Sequence, residues 1–343
     1  MARAIQLGIN GLGNTYPNPM VGCVIVHNDS IIGEGFTSPY GGNHAEVNAI
    51  NSVNDKSLLK SATLYVSLEP CAHHGKTPPC ADLIVEHEIK KVVIGCKDPH
   101  EKVAGKGIQI LRDAGIEVKV GILENECREH HKRFLTFHEK QRPYIILKWA
   151  ESSDGFIAPD KTIREKNPAP FWITNERSRQ LVHQWRSEEH SILVGTNTVL
   201  EDNPKLNVRY WEGKSPIRII LDKSLRIPTD YHIFDGSIRT LLLTSKSKTS
   251  EARDNIEYHL VDFKKKSATS ICEVLFKENF TSVIVEGGAQ TLQTFIDSNL
   301  WDEARVFKGG SNFIKGLKAP DFSGRELIKQ KIAKDVLTTY CND

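Results

Sequence analysis

Short apolar runs of strand length alternate along this chain with segments whose apolar residues recur at helical spacing, a rhythm that predicts an α/β protein. The chain opens on a helical pattern, Ala2 to Leu12. Met20 to Val26 is an apolar run bounded by Pro19 and by Asn28-Asp29, so it reads as a buried strand with Ile31 to Gly35 as its hairpin partner. His44 to Val53 has helical spacing, with Val47, Ile50 and Val53 on one stripe. Ala62 to Leu68 is the next strand, ending at Glu69-Pro70; Cys80 opens a helix through Ile89, and Lys91 to Gly95 forms a further strand. Ile108 to Ala114, Glu117 to Val120 and Glu124 to Phe137 predict a helix, a strand and a long polar helix.

At Glu139-Lys140-Gln141-Arg142-Pro143 the pattern stops in a charged stretch closed by proline, which marks a domain boundary between residues 1–142 and 143–343. A length of 343 residues points the same way, because single cores usually stop growing before that size. The rhythm then restarts. Tyr144 to Ala150 is a strand and Glu151 to Gly155 a turn, and strand-like runs recur at Ser191 to Val194, Ile217 to Leu221, Thr240 to Leu243, Ser282 to Val285 and Ala304 to Phe307. Helical segments between several of them predict a second α/β sheet.

Composition acts on this picture by exclusion. Lys+Arg 45 against Asp+Glu 43 leaves a net charge of +2, which gives no electrostatic case for nucleic acid or an anionic membrane; Lys264-Lys265-Lys266 reads as a solvated loop. No apolar stretch approaches the length that spans a bilayer, and the N-terminus lacks the charged start and apolar core of a signal peptide. The 7 cysteines are dispersed and odd in number, which argues against a disulfide framework and for a reducing cytoplasm. The expected partner is a small molecule, with no nucleic acid and no membrane, and the chain is expected to form a homo-oligomer.

The strongest chemical signal is His44-Ala45-Glu46 followed by Pro70-Cys71 and Pro79-Cys80, which resembles the zinc-deaminase signature H-x-E…P-C…C. One imidazole and two thiolates neutralise a divalent zinc and leave its fourth tetrahedral position to water, the arrangement of a catalytic site. Glu46 has the chemistry to take the water's proton and pass it to leaving ammonia. His44 and Cys80 fall at predicted helix starts, where unpaired backbone amides stabilise thiolates. His73, His74 and His87 could supply a fourth protein ligand, so ligand count alone leaves open a zinc-stabilised interaction module; such a module would have no use for Glu46.

The two cysteines are separated by Ala72 to Pro79, longer than the two-residue spacing common in that signature. The run Leu68-Glu69-Pro70-Cys71-Ala72-His73-His74-Gly75-Lys76-Thr77-Pro78-Pro79-Cys80, with Pro17-Asn18-Pro19-Met20-Val21-Gly22 upstream, resembles the bifunctional deaminase/reductase family of riboflavin biosynthesis. The resemblance implies zinc ligands His44, Cys71 and Cys80, proton shuttle Glu46, and substrate contacts from Asn18, His73 and Lys76.

In the second half, the strand Ser282 to Val285 runs through Glu286 into Gly287-Gly288 and then a helix from Gln290 to Ser298. Glycine at such a junction lets an anion approach the amides of a helix start, although paired glycines there are often only a tight turn. Lys148, Ser152-Ser153-Asp154-Gly155, Trp172-Ile173-Thr174, Trp185-Arg186, Gly195, Thr198 to Pro204, Leu206 and Arg209 precede it in an order that resembles the reductase half of the same family. The resemblance implies an N-terminal cytidine-deaminase-like α/β/α domain followed by a dihydrofolate-reductase-like α/β domain. It implies NADPH contacts from Trp172, Thr198, Asp202, Gly288, Ala289, Gln290, Thr291, Leu292, Gln293 and Thr294, and substrate contacts from Lys148, Arg186, Leu206, Arg209 and Glu286. Lys223 and Arg226, just beyond the strand ending at Leu221, carry the charge to meet a ribose phosphate.

The chain departs from the family pattern at Thr37, where a histidine usually lines the deaminase pocket, and at Pro170, where a serine normally precedes the Trp-Ile-Thr segment. Glu151 and Ser153 replace an alanine and a leucine. The implied activity is zinc-dependent hydrolytic deamination of 2,5-diamino-6-(5-phosphoribosylamino)pyrimidin-4-one, then NADPH-dependent reduction of its ribosyl group to ribityl. A deaminase with a degenerate reductase half would show the same motifs. A nucleotide or tRNA deaminase would share His44-Ala45-Glu46 and the cysteines, but explains neither the loop between them nor the second half.

Overall fold

Helix and strand lengths follow the apolar pattern closely in the computed structural model, which describes residues 1–73, 78–100, 103–166, 171–247, 254–263 and 267–342, without the side chains of 165 and 166. Lys76, Pro170 and the 264–266 lysines lie outside these residues. The chain divides into two units, Met1–Gln141 and Arg142–Asp343. Arg142, expected in the first half, belongs to the second because its guanidinium makes paired bonds to Asp302 at 2.5 and 2.7 Å.

The first unit contains α1 (Ala2–Gly8), β1 (Gly22–His27), β2 (Ser30–Phe36), α2 (Ala45–Ser52), β3 (Thr63–Leu68), α3 (Cys80–Glu86), β4 (Lys91–Cys96), α4 (Lys106–Asp113), β5 (Glu117–Val120), α5 (Glu124–His130) and α6 (Lys132–Lys140). The sheet order is β2-β1-β3-β4-β5; β1 runs antiparallel to β2 and β3, whereas β3, β4 and β5 are parallel. Ile25, Leu64, Val66, Val92 and Ile94 share a core with Ile50 and Ile84 from the helices, while Ala4 and Leu7 of α1 pack on Val24.

Three expectations change here. The first helix tightens to a 3-10 turn over Ile9–Gly11. The buried face of α2 is Ala45, Ala49 and Ile50, with Val47 only half-buried. The reason is the close approach of β2, whose Gly33 and Gly35 leave no room for a side chain against the α2 backbone, so alanines serve there better than valine. The long helix expected from Glu124 to Phe137 divides at His131, a buried ring anchored to Ser67 Oγ at 3.0 Å.

The second unit contains β6 (Tyr144–Glu151), β7 (Phe156–Pro159), α7 (Lys161–Lys166), α8 (Glu176–Glu188), β8 (Ser191–Gly195), α9 (Thr196–Asp202), β9 (Ile217–Leu221), β10 (Thr240–Thr244), β11 (Ile256–Leu260), α10 (Ser267–Lys277), β12 (Ser282–Val285), α11 (Ala289–Asp297), β13 (Glu303–Lys308), β14 (Gly316–Lys318), β15 (Arg325–Ile332) and β16 (Asp335–Cys341). Nine strands form one sheet in the order β11-β10-β9-β8-β12-β6-β13-β16-β15, parallel from β11 to β13 and closed by an antiparallel β16-β15 hairpin. Apolar cores cover both faces, which is why the central strands read as unbroken hydrophobic runs.

Candidate active sites

Each metal-ligand candidate lies at the end of a regular element. His44 caps α2, Cys80 begins α3, and Cys71 follows β3 by way of Glu69-Pro70. The sheet thus brings together side chains 36 residues apart: His44 Nδ1 lies 3.3 Å from Cys80 Sγ and 3.5 Å from Cys71 Sγ, and the Cys80 N–H donates to Cys71 Sγ at 3.2 Å. The three donor atoms all lie within 4.8 Å of one another. Zinc bonds of about 2.3 Å to sulfur and about 2.0 Å to nitrogen fit such a triangle. Hydrogen bonding from Cys80, aided by His44 and opposed by burial, holds the Cys71 thiol down at about 4, so one thiolate is already prepared.

Glu46, on the first turn of α2, is 3% exposed and is not part of this donor triangle. Burial, and then the neighbouring Cys71 charge, raise its carboxyl to about 7, with His44 pulling the other way. Asn18 is half-buried ahead of β1, its N–H donating to Thr15 O at 2.9 Å. His73 is exposed, with its ring 6.1 Å from that of His100, which in turn lies 4.6 Å from His138. Sequence reading missed His100 and His138; nothing in their spacing from the motif signals them. Thr37 is buried and accepts the Val21 N–H at 3.1 Å, so the threonine ties down the start of β1.

The second unit holds a cleft of ≈ 1270 Å³ at the carboxyl ends of β6, β8, β9 and β12. Its floor is an ion triad. Arg186, from the last turn of α8, makes a two-point bond to Glu286 at 2.8 and 2.9 Å, and Lys148 Nζ approaches the same carboxylate at 3.6 Å. Burial opposes ionisation of Glu286, but Arg186 and then Lys148 hold its carboxyl at about 2. Burial lowers Lys148 against the pull of Glu286, and repulsion from the Arg186 guanidinium adds to the lowering. Two cations on one anion leave a surplus positive charge facing the cleft, and Arg209 adds another at the rim. His183, one turn before Arg186, was not singled out from the sequence; burial, Arg186 and Arg209 hold it at about 4, and its neutral Nδ1 accepts the Arg209 N–H at 3.3 Å.

Trp172, 55% exposed, lines the cleft with the Arg179 guanidinium 4.6 Å from its ring centre. Thr198 accepts the Gly288 N–H at 3.0 Å, joining α9 to the start of α11, and a side chain on Gly195 or Gly287 would collide with Thr291. This glycine-lined helix start fits the phosphates of a dinucleotide. Asp202, Leu206, Ala289, Gln290, Thr291 and Thr294 also line the cleft, as do Lys223 and Arg226. Leu292 and Gln293 do not: Leu292 faces the apolar core, and the Gln293 amide turns to Asp297 and Asp321. Of the departures, Glu151 accepts the Trp149 ring N–H at 3.2 Å and Ser153 bonds to Ser311 O.

Residues 1–96 match the cytidine and deoxycytidylate deaminase zinc-binding region, and residues 143–312 match the RibD C-terminal domain. Over 330 residues the chain is 38% identical to riboflavin biosynthesis protein RibD of Aquifex aeolicus, covering 95% of this chain and 90% of that one. The chain belongs to the RibD family. RibD of Bacillus amyloliquefaciens is 40% identical over 314 residues, covering 90% of this chain and 82% of that one. The crystal structure of the Thermotoga maritima deaminase/reductase superposes with a TM-score of 0.89 at 37% identity, covering 100% of this chain and 97% of that one. Like the RibD family, this chain is an enzyme with a deaminase and a reductase activity in riboflavin biosynthesis, and its cofactors are zinc and NADPH.

Proposed function

We propose that residues 1–141 deaminate 2,5-diamino-6-(5-phosphoribosylamino)pyrimidin-4-one and that residues 142–343 then reduce its ribosyl group to ribityl. The observation that carries this reading is the coexistence of two independent sites, a buried carboxyl beside a His-Cys-Cys triangle and a cationic cleft with a glycine-lined helix start. His44, Cys71 and Cys80 would hold the zinc, which would supply a Lewis acid that activates water. The Glu46 carboxylate accepts a proton from the attacking water and returns it to the departing amino nitrogen. Asn18, His73 and Lys76 hold the substrate for this step.

In the second site NADPH supplies the hydride. Trp172, Thr198, Asp202 and the residues Gly288 to Thr294 hold the cofactor, with Leu292 and Gln293 acting through their backbone because their side chains face elsewhere. Arg186 and Arg209 bind the phosphate of the substrate, Leu206 packs against it, and Lys148 and Glu286 orient the opened sugar, so catalysis rests on positioning two reactants. The experiment is incubation with the pyrimidine phosphate while ammonia and NADPH are followed. Ammonia release without NADPH, and NADPH oxidation only after deamination, are expected. Failure to oxidise NADPH with authentic deaminated intermediate would leave a deaminase with an inactive reductase half.

The reading extends to a cytoplasmic homo-oligomer. No disulfide joins any of the seven cysteines, as suits a reducing compartment, and no helix among the described residues is long and apolar enough to cross a membrane. The edge strand β15 exposes Leu327 at 48% and Ile328 at 60%. An antiparallel pairing of two copies would set Leu327 against Ile328 and Glu326 against Lys329. Sedimentation of wild type against Ile328→Lys tests it; an unchanged oligomer would move the interface elsewhere, and a monomeric wild type would end the reading.

A further inference from the structure

Glu69 is 3% exposed, yet it is neither a member of the metal triangle nor, among the described residues, paired with a cation. Its carboxylate is occupied by backbone. One oxygen accepts the N–H groups of Asp98 at 3.3 Å and Gly105 at 3.1 Å, and the other accepts the Ile108 N–H at 3.2 Å. Gly105 caps α4 with a φ of +86° and has no side chain to satisfy the helix's first amides, so Glu69, arriving from the end of β3, caps α4 from outside. The same first turn presses on the next residue of the motif: a Cβ on Gly107 would run into the Pro70 carbonyl.

Cys71 is therefore gripped from two sides. On one, its carbonyl accepts the Ala81 N–H at 3.1 Å and its thiolate accepts the Cys80 N–H at 3.2 Å, both from the start of α3. On the other, Glu69 and Pro70 are held by the start of α4, which contributes no ligand of its own. A free Glu69-Pro70 turn would leave the thiolate free to swing relative to His44 and Cys80.

We propose that Glu69 is a positioning residue for the metal centre, fixing the Pro70-Cys71 turn against α4 so that the Cys71 thiolate stays within ligand distance of His44 and Cys80. This rests on the assignment of those three residues as zinc ligands. Groups that hydrogen-bond behind metal ligands typically change metal affinity about 10- to 100-fold when removed. Glu69→Gln keeps the volume but turns one accepting oxygen into an NH2 facing N–H donors, so at least one of the three bonds is lost.

The test uses the full-length, zinc-loaded protein and follows zinc release to a chromophoric chelator, together with the visible spectrum of the cobalt-loaded form. Glu69→Gln is expected to release zinc about 10- to 100-fold faster than wild type and to shift the cobalt bands. Gly107→Ala, which pushes on the Pro70 carbonyl from the same first turn of α4, is expected to act in the same direction, and it decides alone if Glu69→Gln does not fold. Leu59→Ala, a cavity in the same core, is expected to lower the melting temperature while zinc release stays at the wild-type rate. Cys71→Ser should lose the metal; if it does not, the ligand assignment itself fails. If Cys71→Ser loses zinc while Glu69→Gln and Gly107→Ala hold it at the wild-type rate with an unchanged cobalt spectrum, the positioning role is overturned.

Discussion

The carboxylate at the floor of the reductase cleft makes protein stability depend on pH in a way that can be worked out from its neighbours. Both Glu286 oxygens meet Arg186, at 2.8 and 2.9 Å, and one also faces Lys148 at 3.6 Å, which holds its carboxyl at about 2 against an ordinary 4.5. A depressed folded pKa means that the stabilisation is complete above the unfolded value and is lost as pH falls from about 4.5 towards about 2. At about 1.36 kcal/mol per pH unit this amounts to on the order of 3 kcal/mol at neutrality, with more than half gone near pH ~3. Glu286→Gln removes the anion and leaves two cations buried side by side, so the variant should be less stable than wild type by about 3 kcal/mol or more at neutral pH. The gap should narrow as the solution is acidified. His183, held at about 4 by burial, Arg186 and Arg209, loses its own contribution as pH falls from 6.5 through 4, but this happens in both proteins and largely cancels in their difference. All five tryptophans, Trp149, Trp172, Trp185, Trp211 and Trp301, lie in the second unit, so urea unfolding followed by tryptophan fluorescence reports on that unit. A stability gap that stays constant from neutral pH to about pH 3 would refute the assignment of an ionised, shared Glu286.

Glu46→Gln should cut ammonia release by about 100-fold or more, because the amide cannot accept the water's proton, while zinc measured by mass spectrometry stays near stoichiometric and supplied intermediate is still reduced. Arg209→Ala should raise KM for the intermediate roughly tenfold, the lower end of a lost charge-assisted bond because this guanidinium is exposed at the rim, with ammonia release unaffected. Lys223→Ala, at the mouth of the same cleft, should weaken NADPH more than NADH; equal effects on the two would remove Lys223 from contact with the ribose phosphate.

What the sequence determined by itself is local. Strand runs such as Ile217 to Leu221 and Ser282 to Val285 appear with the predicted limits, because burial on both faces makes them mostly apolar, the buried Arg218 being paired with Asp235. The His44, Cys71 and Cys80 set was legible because donor type and helix-start placement are properties of short segments. The β15-β16 hairpin was not: Arg325 to Gln330 are exposed on both faces, so no alternation distinguishes that strand from a loop. The half-buried Val47 likewise depended on which strand passes beneath α2.

Tertiary structure alone decided which polar residues act together. Glu69 meets Gly105 and Ile108 across 36 and 39 residues, and Arg186 meets Glu286 across 100. Those meetings are set by sheet order and register, which place β3 beside β4 and β12 between β8 and β6. The helix of residues 289–297 was visible in sequence, but not that Leu292 would face the core and Gln293 would turn to Asp321 while Thr291 and Thr294 face the cleft. Helical periodicity gives the angular spacing of these side chains; only packing against the sheet fixes the rotation of the helix and therefore which of them meets the ligand.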